Sequence, residues 1–179
     1  FTEKGYWGFN PEYLSQIYWF NLPVEEWLFF ICIPYACIFM HLALIELSNK
    51  WILKQKISNY ISYSLCAVFL LVLVFNTDKM YTLLDMSYAL FVLAYVFYWK
   101  RELLNKFYLT FLAMLVPFTI VNGVLTGFGI PEEVVWYNDM QNLGIRFFTI
   151  PFEDFAYAFS MILSTLYLFE IFKKKKTTN

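Results

Sequence analysis

The chain has 179 residues, of which 60% are apolar, 23% aromatic and only 15% charged. A soluble domain is about 45–50% apolar with about 25% charge, and one of this length could not bury so much apolar surface in a single core. Disorder and nucleic-acid binding are excluded as well, because the net charge is −1 and the only basic run is the four lysines near the end.

Five apolar runs are long enough to cross a bilayer, which takes about 20 residues. They are Leu22–Leu47, Ile57–Phe75, Met80–Trp99, Phe107–Leu125 and Ile145–Phe172. The runs do not alternate as barrel strands would. The expectation is therefore an all-α, polytopic transmembrane helix bundle of five spans, forming a single domain over 1–179. Lys50, Lys54, Lys56, Lys100, Arg101, Lys106 and Lys173 to Lys176 make ten of the thirteen basic residues. All ten share one side if the C-terminus is cytoplasmic, as the positive-inside rule favours. The expected location is thus a multi-pass protein of the cytoplasmic membrane. The opposite side carries Tyr6, Trp7, Phe9, Tyr13, Tyr18 and Trp19 before the first span. It also carries Trp136 and Tyr137 before the fifth. These read as an aromatic belt at the headgroups.

Ionisable groups inside spans are expensive, and they mark function by default. Glu25 and Glu26 open the first span, and Glu153 and Asp154 occur in the fifth. Both pairs read proline, apolar, glutamate, acid, aromatic, so the motif around Glu25 recurs around Glu153. Asp85 enters the third span and Asn122 leaves the fourth. At about 1.5 Å per residue, all six residues fall in the outer part of the membrane. A short repeat of this kind suggests two related halves meeting around one site. A carboxyl group in apolar surroundings resists ionisation, and a second carboxyl beside it adds to this. Such a group is a general acid. Adjacent helix residues point about 100° apart, so one member of each pair is expected to face the site. Aromatic faces from Trp27, Phe29, Phe30, Phe155 and Tyr157 could line the pocket and stabilise a cation. Paired carboxylates also suit a proton-coupled transporter, which is the competing reading.

Cys32, Cys37 and Cys66 lie in apolar runs and read as free thiols. No metal site is expected, because the single histidine, His41, sits toward a helix end away from the acids. No Gly-x-Gly-x-x-Gly fingerprint is present, so no dinucleotide cofactor is expected.

The sequence resembles the membrane-integral lycopene cyclases of the heterodimeric and fused type. The matching residues are Pro23, Glu25, Glu26, Phe29 and Phe30, then Pro151, Glu153, Asp154 and Tyr157. The segments Asn122-Gly123-Val124-Leu125-Thr126, Trp136-Tyr137-Asn138 and Gly144-Ile145-Arg146 extend the likeness. Asp154 and Phe155-Ala156-Tyr157 depart from that family's Glu and Phe-Phe. The resemblance implies an isomerase, a lycopene β-cyclase of carotenoid biosynthesis that closes β-ionone rings by acid–base chemistry without a redox cofactor. Its partners would be lycopene and the lipid bilayer. Glu25, Glu26, Glu153 and Asp154 would form the catalytic set, with Asp85 and Asn122 supporting them. Similar members carry about two further spans before the first motif, and such a gap would leave room for a homo-oligomer.

Overall fold

The computed structural model describes residues 2–177. Phe1 and the side chains of Lys174, Lys175 and Lys176, on which part of the charge reading rests, lie outside the described residues. Five long helices account for the five apolar runs: α1 (Val24–Leu47), α2 (Gln55–Phe75), α3 (Met80–Trp99), α4 (Arg101–Leu125) and α5 (Phe152–Thr177). All five are long and apolar enough to span a membrane.

The fifth helix starts later than its apolar run implies. Arg146–Phe147 and Ile150–Pro151 instead form a short antiparallel hairpin. The fourth starts earlier, because only Lys100 separates it from α3. In the N-terminal region, Trp7–Phe9 is a strand (β1), and Tyr18–Trp19 (β2) pairs with Leu22–Pro23 (β3) in a second hairpin. Strand Val135–Tyr137 (β4) pairs with β1. The strands of the other hairpin are β5 (Arg146–Phe147) and β6 (Ile150–Pro151).

The core is built on α3, whose buried residues Met86, Ala89, Leu93 and Val96 recur at helical spacing. They pack against α4 and α5. Phe107 stacks with Phe111 at 5.3 Å, and Phe159 meets both rings edge-on at 5.3 Å. Apolar contact alone does not favour helix association in lipid, so polar pairs between helices add cohesion. Ser62 bonds Tyr108 at 2.7 Å, and His41 bonds Thr110 at 2.7 Å. His41 is thus buried between α1 and α4, where the sequence suggested a helix-end position. By contrast, Pro34 and His41 are the only α1 residues classed as buried, so this helix is loosely packed.

The two acidic motifs belong to a duplicated piece of backbone much longer than the motifs themselves. The β2–β3 hairpin pairs Tyr18 with Pro23 and Trp19 with Leu22. The β5–β6 hairpin pairs Arg146 with Pro151 and Phe147 with Ile150, which is the same register at the offset that carries Glu25 onto Glu153. Val24 N–H donates to Ile17 O at 2.9 Å, and Phe152 N–H donates to Ile145 O at 3.0 Å. Each hairpin thereby satisfies a first-turn amide that has no partner inside its helix. Gln16 and Gly144 share a left-handed φ of 64° and 69°, and Phe20 and Phe148 share one of 50° and 55°.

The β1–β4 ladder joins the two copies. Trp7 pairs with Tyr137, Gly8 with Trp136 and Phe9 with Val135. The same offset maps Trp7, Gly8 and Phe9 onto Val135, Trp136 and Tyr137, so it turns this set of pairs into itself, as a two-fold axis between Gly8 and Trp136 requires. Flanking bonds obey the same relation. Asn10 N–H donates to Val134 O and Asn138 N–H to Tyr6 O, both at 2.9 Å. Asn10 Oδ1 accepts from Glu12 N and Asn138 Oδ1 from Met140 N, both at 3.1 Å.

Candidate active site

The β1–β4 ladder and the starts of α1, α3 and α5 surround a cavity of about 410 Å3. Glu26, Asp85, Asn122 and Asp154 all line it, together with Phe29, Phe30, Phe118, Tyr81, Tyr137 and Tyr157. Four of the six polar residues singled out in the sequence therefore converge. Phe29, Phe30 and Tyr157 join them.

Glu25 and Glu153 are placed differently, and alike. Glu25 Oε1 accepts from Ser15 N–H at 2.8 Å, and Glu153 Oε1 accepts from Leu143 N–H at 2.7 Å, each ten residues upstream. Neither lines the cavity. In both, Oε2 is buried without a hydrogen-bond partner among the described residues. Glu153 also accepts from Thr82 Oγ1 at 2.6 Å and is wholly buried. In each pair the first acid ties the hairpin to the helix start, and the second faces the cavity. Trp27 also turns away, donating from Nε1 to Trp19 O at 2.9 Å. Phe155 packs edge-on against Phe118 and Phe147 and does not line this cavity.

The two cavity-facing acids have different surroundings. Asp154 Oδ1 accepts from the Tyr81 hydroxyl at 2.8 Å. Its Oδ2 accepts from Asn122 Nδ2 at 2.8 Å and from the Tyr137 hydroxyl at 2.8 Å. No such donor reaches the Glu26 carboxyl among the described residues. Asp85 lies four residues beyond Tyr81 on α3, and its Oδ2 is buried with no hydrogen-bond partner among the described residues. Among the described residues none of these acids is in an ion pair; the two salt bridges are Lys100–Glu170 at 3.9 Å and Arg146–Asp139 at 2.7 Å.

Tyr81, Thr82 and Tyr137 were not among the sequence candidates. Tyr81 and Asp85 are four apart and share a helix face, which is a legible signal. Tyr137 is more than a headgroup aromatic. Desolvation foremost, with the Asp154 carboxyl beside it, holds its phenol well above the ordinary tyrosine range, so it remains a donor. On its far side Arg146 sits 5.9 Å from the ring and holds Asp139. Burial pushes the Asp139 carboxyl up, but hydrogen bonds from Arg146 and Asn142 outweigh it and keep the group below its ordinary value.

A polytopic helical protein with paired acids on an aromatic cavity is the class that the geometry defines. The lycopene cyclase family model matches the chain over residues 1–44 and 78–172. The chain belongs to the lycopene cyclase family. The first matched segment holds the first acidic pair, the second holds α3 to α5 with the other pair, and α2 lies outside both. No curated protein and no solved structure matches the chain.

Proposed function

We propose that this chain is a lycopene β-cyclase whose proton donor is Glu26 and whose proton acceptor is Asp154. The observation that carries the reading is that these two acids, one from each half, line a single aromatic cavity. Their hydrogen bonding divides the roles. A carboxylate that accepts several hydrogen bonds is stabilised in its charged form. Asp154 accepts three, from Tyr81, Tyr137 and Asn122. A carboxyl with no donor around it, in apolar surroundings, is suited to hold a proton and give it up.

The chemistry is an isomerisation. Glu26 protonates C2 of the terminal double bond, leaving the cation at C1. The C5–C6 double bond attacks C1, forming the C1–C6 bond and moving the cation to C5. Asp154 removes the C6 proton, and those electrons form the C5–C6 double bond of a β-ionone ring. One proton enters, one leaves, and no electrons are exchanged. Phe29, Phe30, Phe118 and Tyr157 line the cavity, and an aromatic face turned to the cation attracts it by about 0.5–2 kcal/mol. The membrane orientation in this reading puts the cavity on the outer side and the C-terminus in the cytoplasm. It is supported by Lys100, Arg101, Lys106 and Lys173, which gather around the opposite end of the bundle.

The test is expression in lycopene-accumulating cells, with carotenoids separated by chromatography. Cyclised product is expected from the chain and none above background from Glu26→Gln, with the variant still inserted in the membrane. Conversion undiminished in Glu26→Gln would remove the assigned role.

A further inference from the structure

The acid cavity has a continuation that the proposed chemistry does not use. A second cavity, of about 120 Å3, shares Phe29, Phe118, Asn122 and Tyr157 with the first. It runs deeper into the bundle between α1, α4 and α5. Beyond Asn122 and Tyr157 at its mouth, its walls are apolar. Along α1 the two cavities together extend from Glu26 to Met40, about 21 Å at the helical rise.

Three features suit this groove to a rod-shaped apolar ligand. Its walls include small side chains, Ala36, Cys37 and Ala158, which leave room between the helices. Met40, Met114 and Met161 also line it, and methionine is flexible enough to close around an irregular or absent ligand. Pro117 lies on its α4 side, where the helix lacks one backbone donor. Ala36 is exposed, so the groove opens beside α1, the loosely packed helix.

We infer that this groove is the subsite for the polyene tail of the linear carotenoid, the part behind the end-group being cyclised. The inference rests on the carotenoid reading above, and it adds a place and a direction of binding. The end-group sits among Glu26, Asp154 and the aromatic rings. The tail runs inward past Phe29 and Ala36, and it enters sideways from the lipid between α1 and α4. Specificity then lies partly in groove width, with Ala36 as the gauge.

Cys37 offers a probe that does not depend on turnover. The protein carrying Cys32→Ser and Cys66→Ser, reconstituted in phospholipid vesicles, is treated with a membrane-permeant maleimide with and without lycopene. Labelling of Cys37 is expected to slow about tenfold with the carotenoid at ten times its Kd. Separately, Ala36→Trp should abolish conversion of lycopene. Ile31→Trp, on the lipid-facing side of α1 and outside both cavities, should not. Unchanged Cys37 labelling in a protein that converts lycopene would overturn the subsite and leave the cyclase reading standing. Protection of Cys37 without any conversion would support the subsite and overturn the cyclase reading. If Ala36→Trp fails to insert, the labelling result decides alone.

Discussion

The two halves of the site have the same backbone and opposite polar surroundings. Each has a hairpin in one register, a proline before the helix, a first acid held by an amide ten residues upstream and a second acid turned into the cavity. Yet Asp154 is met by three donors, and Glu26 by none among the described residues. One source of the difference is a single hydroxyl. Tyr137 occupies the place in the second half that Phe9 holds in the first, and its oxygen is the atom that reaches Asp154. Duplication places two carboxyl groups symmetrically, and in the proposed reading substitution around them divides the roles of proton donor and proton acceptor.

The most damaging way to break this asymmetry is to remove either acid that the proposed reaction uses. Acid–base groups contribute about 10²- to 10⁴-fold in rate. Glu26→Gln and Asp154→Asn should each lose at least the lower figure, measured as cyclised carotenoid formed per unit of membrane protein. Their residual chemistry should differ. In D2O, Asp154→Asn should still allow deuterium to enter at C2 of the linear end-group, because the first step survives. Glu26→Gln should not. Equal incorporation in the two variants would show that the halves are not divided as assigned.

Next come the first acids, which the proposed reading makes anchors, since neither lines the cavity. Glu153→Ala would leave the buried Thr82 hydroxyl and Leu143 amide without their acceptor. An unsatisfied buried donor costs about 1–3 kcal/mol. Glu25 is only half-buried, and its bond from Ser15 N–H lies where water can replace the carboxylate. Glu153→Ala should therefore lower the thermal midpoint in detergent clearly more than Glu25→Ala. The reverse order would contradict the burial difference.

How much of this was legible follows from what each feature depends on. The five spans depend on composition over about 20 residues, so apolar runs locate them. The convergence of Glu26, Asp154, Asp85 and Asn122 depends on depth, which topology and helical rise supply. Which member of each pair faces inward was out of reach, because adjacent residues differ by about 100° and the hairpins set the phase. The start of α5 falls at Phe152 and not at Ile145 for the same reason, since Ile145–Pro151 is apolar enough for a helix but forms a hairpin capping one. The three donors to Asp154 come from three separate segments, so no local pattern announces them. The wider duplication could have been read from Asn10 and Asn138, Ile17 and Ile145, and Phe20 and Phe148, identical residues at the same offset as Glu25 and Glu153. The comparison would then have exposed Tyr137 against Phe9.

That single hydroxyl is open to direct exchange. Tyr137→Phe makes the second half resemble the first and removes one of two donors to Asp154 Oδ2. A hydrogen bond to a charged group is worth about 1.5–3 kcal/mol. With the Asn122 bond intact, the loss of rate should sit near the lower end, about tenfold. A rate unchanged by Tyr137→Phe would mean that Tyr81 and Asn122 suffice to hold Asp154.

The smallest expected effect concerns a latch that only the second half has. Arg146 joins Asp139 at 2.7 Å and also donates to Thr149 O at 3.0 Å, pinning the β5–β6 hairpin. The equivalent places in the first half are Tyr18 and Pro11, which cannot form such a pair. The Asp139 carboxyl has a folded-state pKa below its ordinary value of 3.8. Its contribution to stability is therefore present above about pH 4 and is lost as pH falls through the lower folded value. The Asp139 side chain is 58% exposed, so solvent and salt screen the pair. Exposed pairs are worth about 0–1 kcal/mol. Asp139→Asn should lower the thermal midpoint slightly at pH 7 and progressively less as pH falls through the folded value, with the small loss shrinking at high salt. Cyclisation should barely change, because Tyr137 keeps its own bond to Asp154 and is held in the β1–β4 ladder. A large loss of activity in this variant would instead mean that Arg146 sets the tyrosine against Asp154 and that the latch, absent from the first half, is part of what makes the second half the proton acceptor.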